Sequence, residues 1–112
     1  MHVTGVGICG PELRYGDEGE RADAAAELES LGFTALWLPD SGGDLFSPLR
    51  LLLRETRSIT VASGILNIWL HDPVVVAAEF TEIERSYPER LLLGLGVGHA
   101  PLVDGTTEPG RY

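Results

Sequence analysis

The side chains best suited to chemistry in this sequence are Asp40, Asn67, His71 and His99, each standing just past an apolar run that reads as a β-strand. Carboxylate and imidazole exchange protons near neutral pH, and an amide offers a ligand both a donor and an acceptor. His99 closes the run Gly94-Leu95-Gly96-Val97-Gly98-His99, where bare backbone lies beside an imidazole, an arrangement that suits a flat ring or a phosphate. Trp69 stands in the same polar loop as Asn67 and His71, with a face on which a ligand could stack. Each has a plainer alternative. Asp40 is also a good turn residue that binds its own loop's N–H groups, and His71, beside a helix N-cap, can hydrogen-bond locally. His99 can be a solvated residue at a tight strand exit, and Trp69 an amphipathic side chain half-buried under a loop. Cys9 has no neighbouring partner that would make it a nucleophile.

These residues need strands and helices to position them, and the periodicity supplies both. Strands are expected over residues 3–8, over 33–38, around Ile59 and Val61 until Ser63-Gly64 interrupts, and over 91–98. Between them Ala24, Ala25, Leu28 and Leu31 recur at helical spacing over 17–31, with Asp17, Glu18 and Glu20 at the start and Gly32 past the end. A second helix runs from about residue 44 or 47 to 57, burying Leu49, Leu52 and Leu53 and turning Arg50, Arg54 and Arg57 to water. Asp72-Pro73 reads as N-cap and first position of a third helix over 74–85, with Val76, Ala77, Phe80 and Ile83 inward. Residues 101–112 lack a helical period and read as loop or tail. Alternating strands and helices at about thirty residues per unit make an α/β chain with a parallel sheet. Its strand ends would gather Cys9, Asp40, the loop from Ser63 to His71, and Gly98-His99 on one rim, where α/β proteins bind ligands.

Composition narrows the function. A chain of 112 residues, 44% hydrophobic, supports a single domain over 1–112. A formal charge of -9 argues against nucleic acid or an anionic membrane as partner. All eight basic residues are arginine, so a phosphate grip would come from Arg, His or backbone N–H groups. A lone cysteine and no Cys/His cluster of zinc spacing fit a reducing, cytoplasmic setting without a structural metal. The literal GxGxxG of Gly5 to Gly10 fails on context, because Val6 and Ile8 belong to the strand and Pro11 follows where a helix should open.

Trp37-Leu38-Pro39-Asp40, then Ser63-Gly64-Ile65-Leu66-Asn67 with His71-Asp72-Pro73, then Leu93-Gly94-Leu95-Gly96-Val97-Gly98-His99 resemble, in order and spacing, the N-terminal part of the luciferase-like monooxygenase superfamily. The similarity is closest to its deazaflavin-dependent branch and covers nearly the whole chain. It implies the N-terminal half of a TIM-type (β/α)8 barrel, with coenzyme F420 as first cofactor choice and FMN as second, and hydride exchange with a small organic substrate. It further implies a bulge with a cis Gly64-Ile65 peptide behind the ring. Asp40, Ser63, Gly64, Ile65, Asn67, Gly96, Gly98 and His99 would then bind the cofactor. His99, matching a catalytic acid of some dehydrogenase relatives, and Asp40 would be the catalytic residues. Asp40-Ser41 departs from the family's frequent Asp-His pair, which puts the proton-transfer partner in question.

Two other functions compete with this oxidoreductase. A half-barrel could serve as a non-catalytic oligomerising or interaction module, or the chain could belong to another barrel enzyme acting on a phosphorylated metabolite. Because four strands leave the first and fourth as open edges, a homodimer or higher homo-oligomer is expected.

Overall fold

The structure, a computed structural model, describes residues 3–40 and 42–97. Among these residues four strands alternate with three helices: β1 (Gly7–Cys9), α1 (Glu18–Ser30), β2 (Ala35–Leu38), α2 (Phe46–Arg54), β3 (Thr60–Asn67), α3 (Pro73–Ser86) and β4 (Leu91–Gly96), with a 3-10 turn at Pro11–Leu13. The sheet is parallel throughout, in the order β1-β2-β3-β4, as expected for half of a (β/α)8 barrel. Register places Leu36, Val61 and Leu91 side by side, and this row packs against the helices with Leu38, Leu49, Leu52, Leu53 and Ile83 to form the core. The opposite face carries the row Trp37, Ala62 and Leu92.

Caps set the helix starts. Asp17 accepts the Glu20 N–H at 3.1 Å, and Asp72 accepts the Val74 N–H at 2.8 Å ahead of Pro73. Asp44 takes the N–H groups of Phe46 and Ser47 at 3.0 and 3.2 Å and the Ser47 hydroxyl. The Ser47 hydroxyl first, then those N–H groups and Arg14, hold its carboxyl below the usual carboxylate range against the opposing effect of burial.

Several boundaries differ from the sequence expectation, each for a physical reason. β1 is three residues long rather than six, because Gly5 turns the chain at φ 74° and β2 offers its first partner, Ala35, only to Gly7. β2 starts at Ala35 because the Phe33 N–H is used to close α1 on Leu28 O. α2 stops at Arg54 because the Thr56 hydroxyl donates back to Leu52 O and Glu29 takes the next three N–H groups. β3 runs eight residues without stopping at Ser63-Gly64; three steps from Ser63 to Leu66 match two from Leu93 to Leu95 on β4, a one-residue bulge. The Gly64-Ile65 peptide in that bulge is cis, as the resemblance implied.

β4 and α3 depart furthest from the expected burial. Leu92 and Leu93 are only half-buried and Leu95 is 60% exposed, although an apolar run suggested cover on both faces. Ala77 is exposed, and Val76 and Phe80 are half-buried. The cause is an open hollow of about 860 Å³ between α3 and β4, walled by Leu66, Val76, Phe80, Leu91, Leu93 and His71. Arg50 is not left to water: it pairs with Glu79 and ties α2 to α3.

Candidate functional site

Two residues beyond β2, Asp40 is the centre of the rim. Its side chain is fully buried, and its oxygens collect three donors from two other segments and its own loop. Oδ2 accepts the Asn67 N–H at 2.8 Å and lies 2.7 Å from His71 Nε2, while Oδ1 accepts the Gly42 N–H at 3.1 Å. The turn role expected of Asp40 is present, and the same carboxylate also binds the end of β3 and the loop after it. Register explains the meeting: Leu38 pairs with Ser63, so the chain leaving β2 runs beside the end of β3. The contact joins residues 31 apart in sequence. His71, whose plainer alternative was a local bond beside the N-cap, instead reaches across the sheet, with its ring edge-on to Phe46 at 6.5 Å between centroids.

Asn67, the last residue of β3, is 1% exposed. Its Oδ1 accepts the Trp69 N–H at 2.9 Å, which leaves Nδ2 buried and, among the described residues, without a partner. The indole Nε1 of Trp69 is in the same state. Two buried donors without acceptors on one rim are costly, about 1–3 kcal/mol each. Such an arrangement can receive the acceptor edge of a polar ring.

The bulge lies next to them. The indole of Trp37 lies under it, since a Cβ on Gly64 would come within 3.1 Å of Trp37 Cε3 and one on Gly7 within 2.6 Å of Nε1. Ser63 is fully buried and its hydroxyl donates to Gly94 O at 3.0 Å, so it is engaged within the sheet. Glycine at 94 and 96 has a packing reason too: a Cβ on Gly94 would stand 2.5 Å from Ser63 O, and one on Gly96 2.9 Å from the Ile65 side chain. The space that suggested ligand approach at Gly96 is taken by Ile65. Gly98 and His99, and the expected tail, lie outside the described residues.

The sequence reading missed Arg14. It is 7% exposed, in the segment after β1, and its Nη2 donates to Gly42 O at 3.0 Å, tying the first rim loop to the second. Nothing in its neighbours distinguishes it from an ordinary surface arginine, the usual state of that residue type. Among the described residues no group of three His, Cys, Asp or Glu could hold a metal ion, and no helix is long and apolar enough to cross a membrane.

Comparison with known proteins agrees with this geometry. The chain is 31% identical over 83 residues to an uncharacterised protein of Mycobacterium tuberculosis, covering 74% of this chain and 24% of that protein. It therefore spans about a quarter of the length of that relative. Its fold matches an F420-dependent secondary alcohol dehydrogenase in complex with an F420-acetone adduct, at TM-score 0.73 and 22% identity, over 88% of this chain and 33% of that one. It also matches the oxygenating constituent of 3,6-diketocamphane monooxygenase from Pseudomonas putida, a type II Baeyer-Villiger monooxygenase in complex with FMN, at TM-score 0.75 and 14% identity, over 97% and 34%. The family model of the luciferase-like monooxygenases matches residues 10–108, and with motif order, parallel half-barrel and rim in agreement, the chain belongs to the luciferase-like monooxygenase family.

Proposed function

We propose that this chain forms the ring-binding side of a flavin- or deazaflavin-dependent oxidoreductase that moves a hydride to or from a small organic substrate, with F420 the first candidate and FMN the second. The observation that carries this reading is the pair of buried donors without acceptors, Asn67 Nδ2 and Trp69 Nε1, beside the Gly64-Ile65 bulge. A ring bearing carbonyl oxygens satisfies both. Solved structures of the same fold, one named with an F420 adduct and one with FMN, support the same class of ligand.

In this reading the ring, when bound, accepts or gives the hydride, and the chain's residues bind and orient it. Gly64 and Ile65 meet its face, Asn67 and Trp69 meet its edge, and Asp40 fixes Asn67 through the backbone N–H. Ser63 and Gly96 set the shape of the bulge through Gly94 O and Ile65. The proposal also assigns Gly98 and His99 to cofactor binding, and His99 and Asp40 to catalysis. The proposed setting is the cytoplasm, which suits the free thiol of Cys9. Fluorescence titration of the full chain with F420 and with FMN tests the proposal. Saturable binding of one is expected, and no binding of either overturns it.

The open hollow favours a second reading, in which the chain acts as an oligomerising module. A second copy would cover the apolar wall of α3 and β4, whose strand edge also has unpaired backbone groups. Light scattering at micromolar concentration is expected to give a homodimer or larger assembly; a stable monomer overturns it.

A further inference from the structure

Some of the buried donors at the rim have no part in the ring reading, and they belong to arginines. Arg14, in the segment after β1, is 7% exposed, and Arg21, in the first turn of α1, is half-buried. Arg14 Nη2 donates to Gly42 O at 3.0 Å, Arg21 Nη1 donates to Arg14 O at 3.3 Å, and the Nε of each is buried without a hydrogen-bond partner among the described residues. Both side chains are thus held where the loop after β1, the start of α1 and the loop after β2 meet.

A buried cation ordinarily has a counter-charge, because a charge taken out of water without one is costly. Among the described residues neither arginine forms an ion pair with a carboxylate. The chain has 17 acidic residues against eight basic ones, so this is a matter of position and not of supply. The acids that flank Gly42 and Gly43 are engaged elsewhere. Asp40 binds the N–H groups of Asn67 and Gly42 and the imidazole of His71. Asp44, which feels the charge of Arg14 through space, is committed to the N–H groups of Phe46 and Ser47 and to the Ser47 hydroxyl. Arg14 Cζ lies 5.0 Å from the centroid of the Tyr15 ring, and a contact with the face of a guanidinium uses none of the donors at its edge. A guanidinium is a fork of N–H donors with no acceptor of its own, so an oxyanion is the partner this arrangement lacks. Phosphate suits it better than carboxylate, since it brings more charge and more acceptor oxygens for two forks to share.

We infer that Arg14 and Arg21 form an oxyanion site between the first two rim loops, and that it takes the phosphate group of a small-molecule ligand. The site is separate from the residues assigned to the ring. β2 stands between β1 and β3, and at ordinary strand spacing the strands that lead to the two sites are about 10 Å apart. The inference goes beyond the ring-site reading and does not depend on it. The phosphate has two sources, a phosphorylated cofactor such as FMN or a second molecule, and the arginines meet the same chemistry in both.

Inorganic phosphate titrated into the full chain tests this, read from the arginine Nε–H resonances of isotope-labelled protein, with sodium chloride of equal ionic strength as control. Phosphate is expected to shift the Arg14 and Arg21 signals saturably, with Kd on the order of 1 mM, and chloride to leave them in place. Arg21→Gln removes the less buried charge and keeps the tie from Arg14 to Gly42, so it should weaken phosphate about tenfold, and Arg21→Lys should recover part of the loss. FMN and riboflavin then separate the sources. Phosphate that competes with FMN and not with riboflavin assigns the group to the cofactor; phosphate that binds alongside FMN assigns it to a second molecule, and either result supports the site. Signals that do not move with phosphate, or a response that Arg14→Gln and Arg21→Gln leave unchanged, overturn the inference and leave both arginines as clamps on the rim loops. Phosphate binding in a chain that takes up neither F420 nor FMN removes the ring site and leaves this one standing.

Discussion

The two ends of the sheet solve the same problem in opposite ways. At the end where the strands begin, polar groups are matched to one another. Glu29 accepts the N–H groups of Arg57, Ser58 and Ile59 at 2.8 to 3.1 Å, Arg90 donates to Ile59 O and to Thr56 Oγ1, both at 2.7 Å, and Thr56 donates to Leu52 O. At the end where the strands stop, polar atoms are gathered and left over. Four buried side-chain nitrogens, on Arg14, Arg21, Asn67 and Trp69, have no hydrogen-bond partner among the described residues, and all four lie at that rim. Unpaired buried donors reduce stability, so their concentration at one end is what the proposed ligand would relieve. In barrels this is the division between a stabilising face and a catalytic one.

The largest way to break the comparison is to remove the rim's fully buried carboxylate. Asp40→Leu leaves the N–H groups of Asn67 and Gly42 and the imidazole of His71 without an acceptor. It should destabilise the fold by about 3–5 kcal/mol, the scale for stripping a partner from a buried charged network. Urea denaturation measures this. A loss under about 1 kcal/mol would mean that water replaces the carboxylate and that the rim is already open.

The contrast between the ends also explains what the sequence disclosed. Most of the fold was legible, because its signals are local: Asp17 and Asp72-Pro73 open helices, Gly32 closes one, and leucines repeat at helical spacing. Boundaries failed where a distant residue intervenes, as when Glu29 ends α2 from another helix. Asp40 and Asn67 were legible as strand-end residues, but their linkage was not, nor was the His71 contact. Both depend on the pairing of Leu38 with Ser63, which no local pattern encodes. Ser63 and Gly96 drew attention as residue types suited to ligands, and packing accounts for them through Gly94 O and Ile65.

A smaller effect should come from the opposite end. Burial raises the Glu29 carboxyl, but three backbone N–H groups and Arg90 outweigh it, so its folded pKa lies below the ordinary 4.5. A depressed carboxyl contributes stability above the unfolded value and loses it as pH falls through the folded one. The contribution is therefore complete at neutral pH and disappears below about pH 4.5. Discounted for solvent around the carboxylate, Glu29→Gln should cost about 1 kcal/mol at pH 7 and make the loss of stability below pH 4.5 shallower. Denaturation curves at several pH values test the sign. Cofactor affinity should not change, and a change above about twofold, or 0.4 kcal/mol, would blur the division between the ends.

The smallest expected effect on stability is at Trp69, and it is the sharpest test of what the leftover donors are for. Trp69→Phe removes the unpartnered Nε1 and keeps an aromatic ring in the half-buried loop. Losing indole area costs packing, while losing a buried donor without an acceptor removes a penalty of about 1–3 kcal/mol, so the two should nearly cancel in the free chain. The backbone N–H of Trp69 still donates to Asn67 Oδ1, which keeps the loop's course. Cofactor binding has no such compensation, because the donor lost is one the ring would use. The expected outcome is a stability change within about 1 kcal/mol, with cofactor affinity about tenfold weaker. If affinity holds while the fold weakens, Trp69 is a packing residue and Asn67 alone meets the ring edge. If both fall together, the indole supports the loop that holds Asn67, and the rim's leftover donors would then be a matter of fold as much as of ligand.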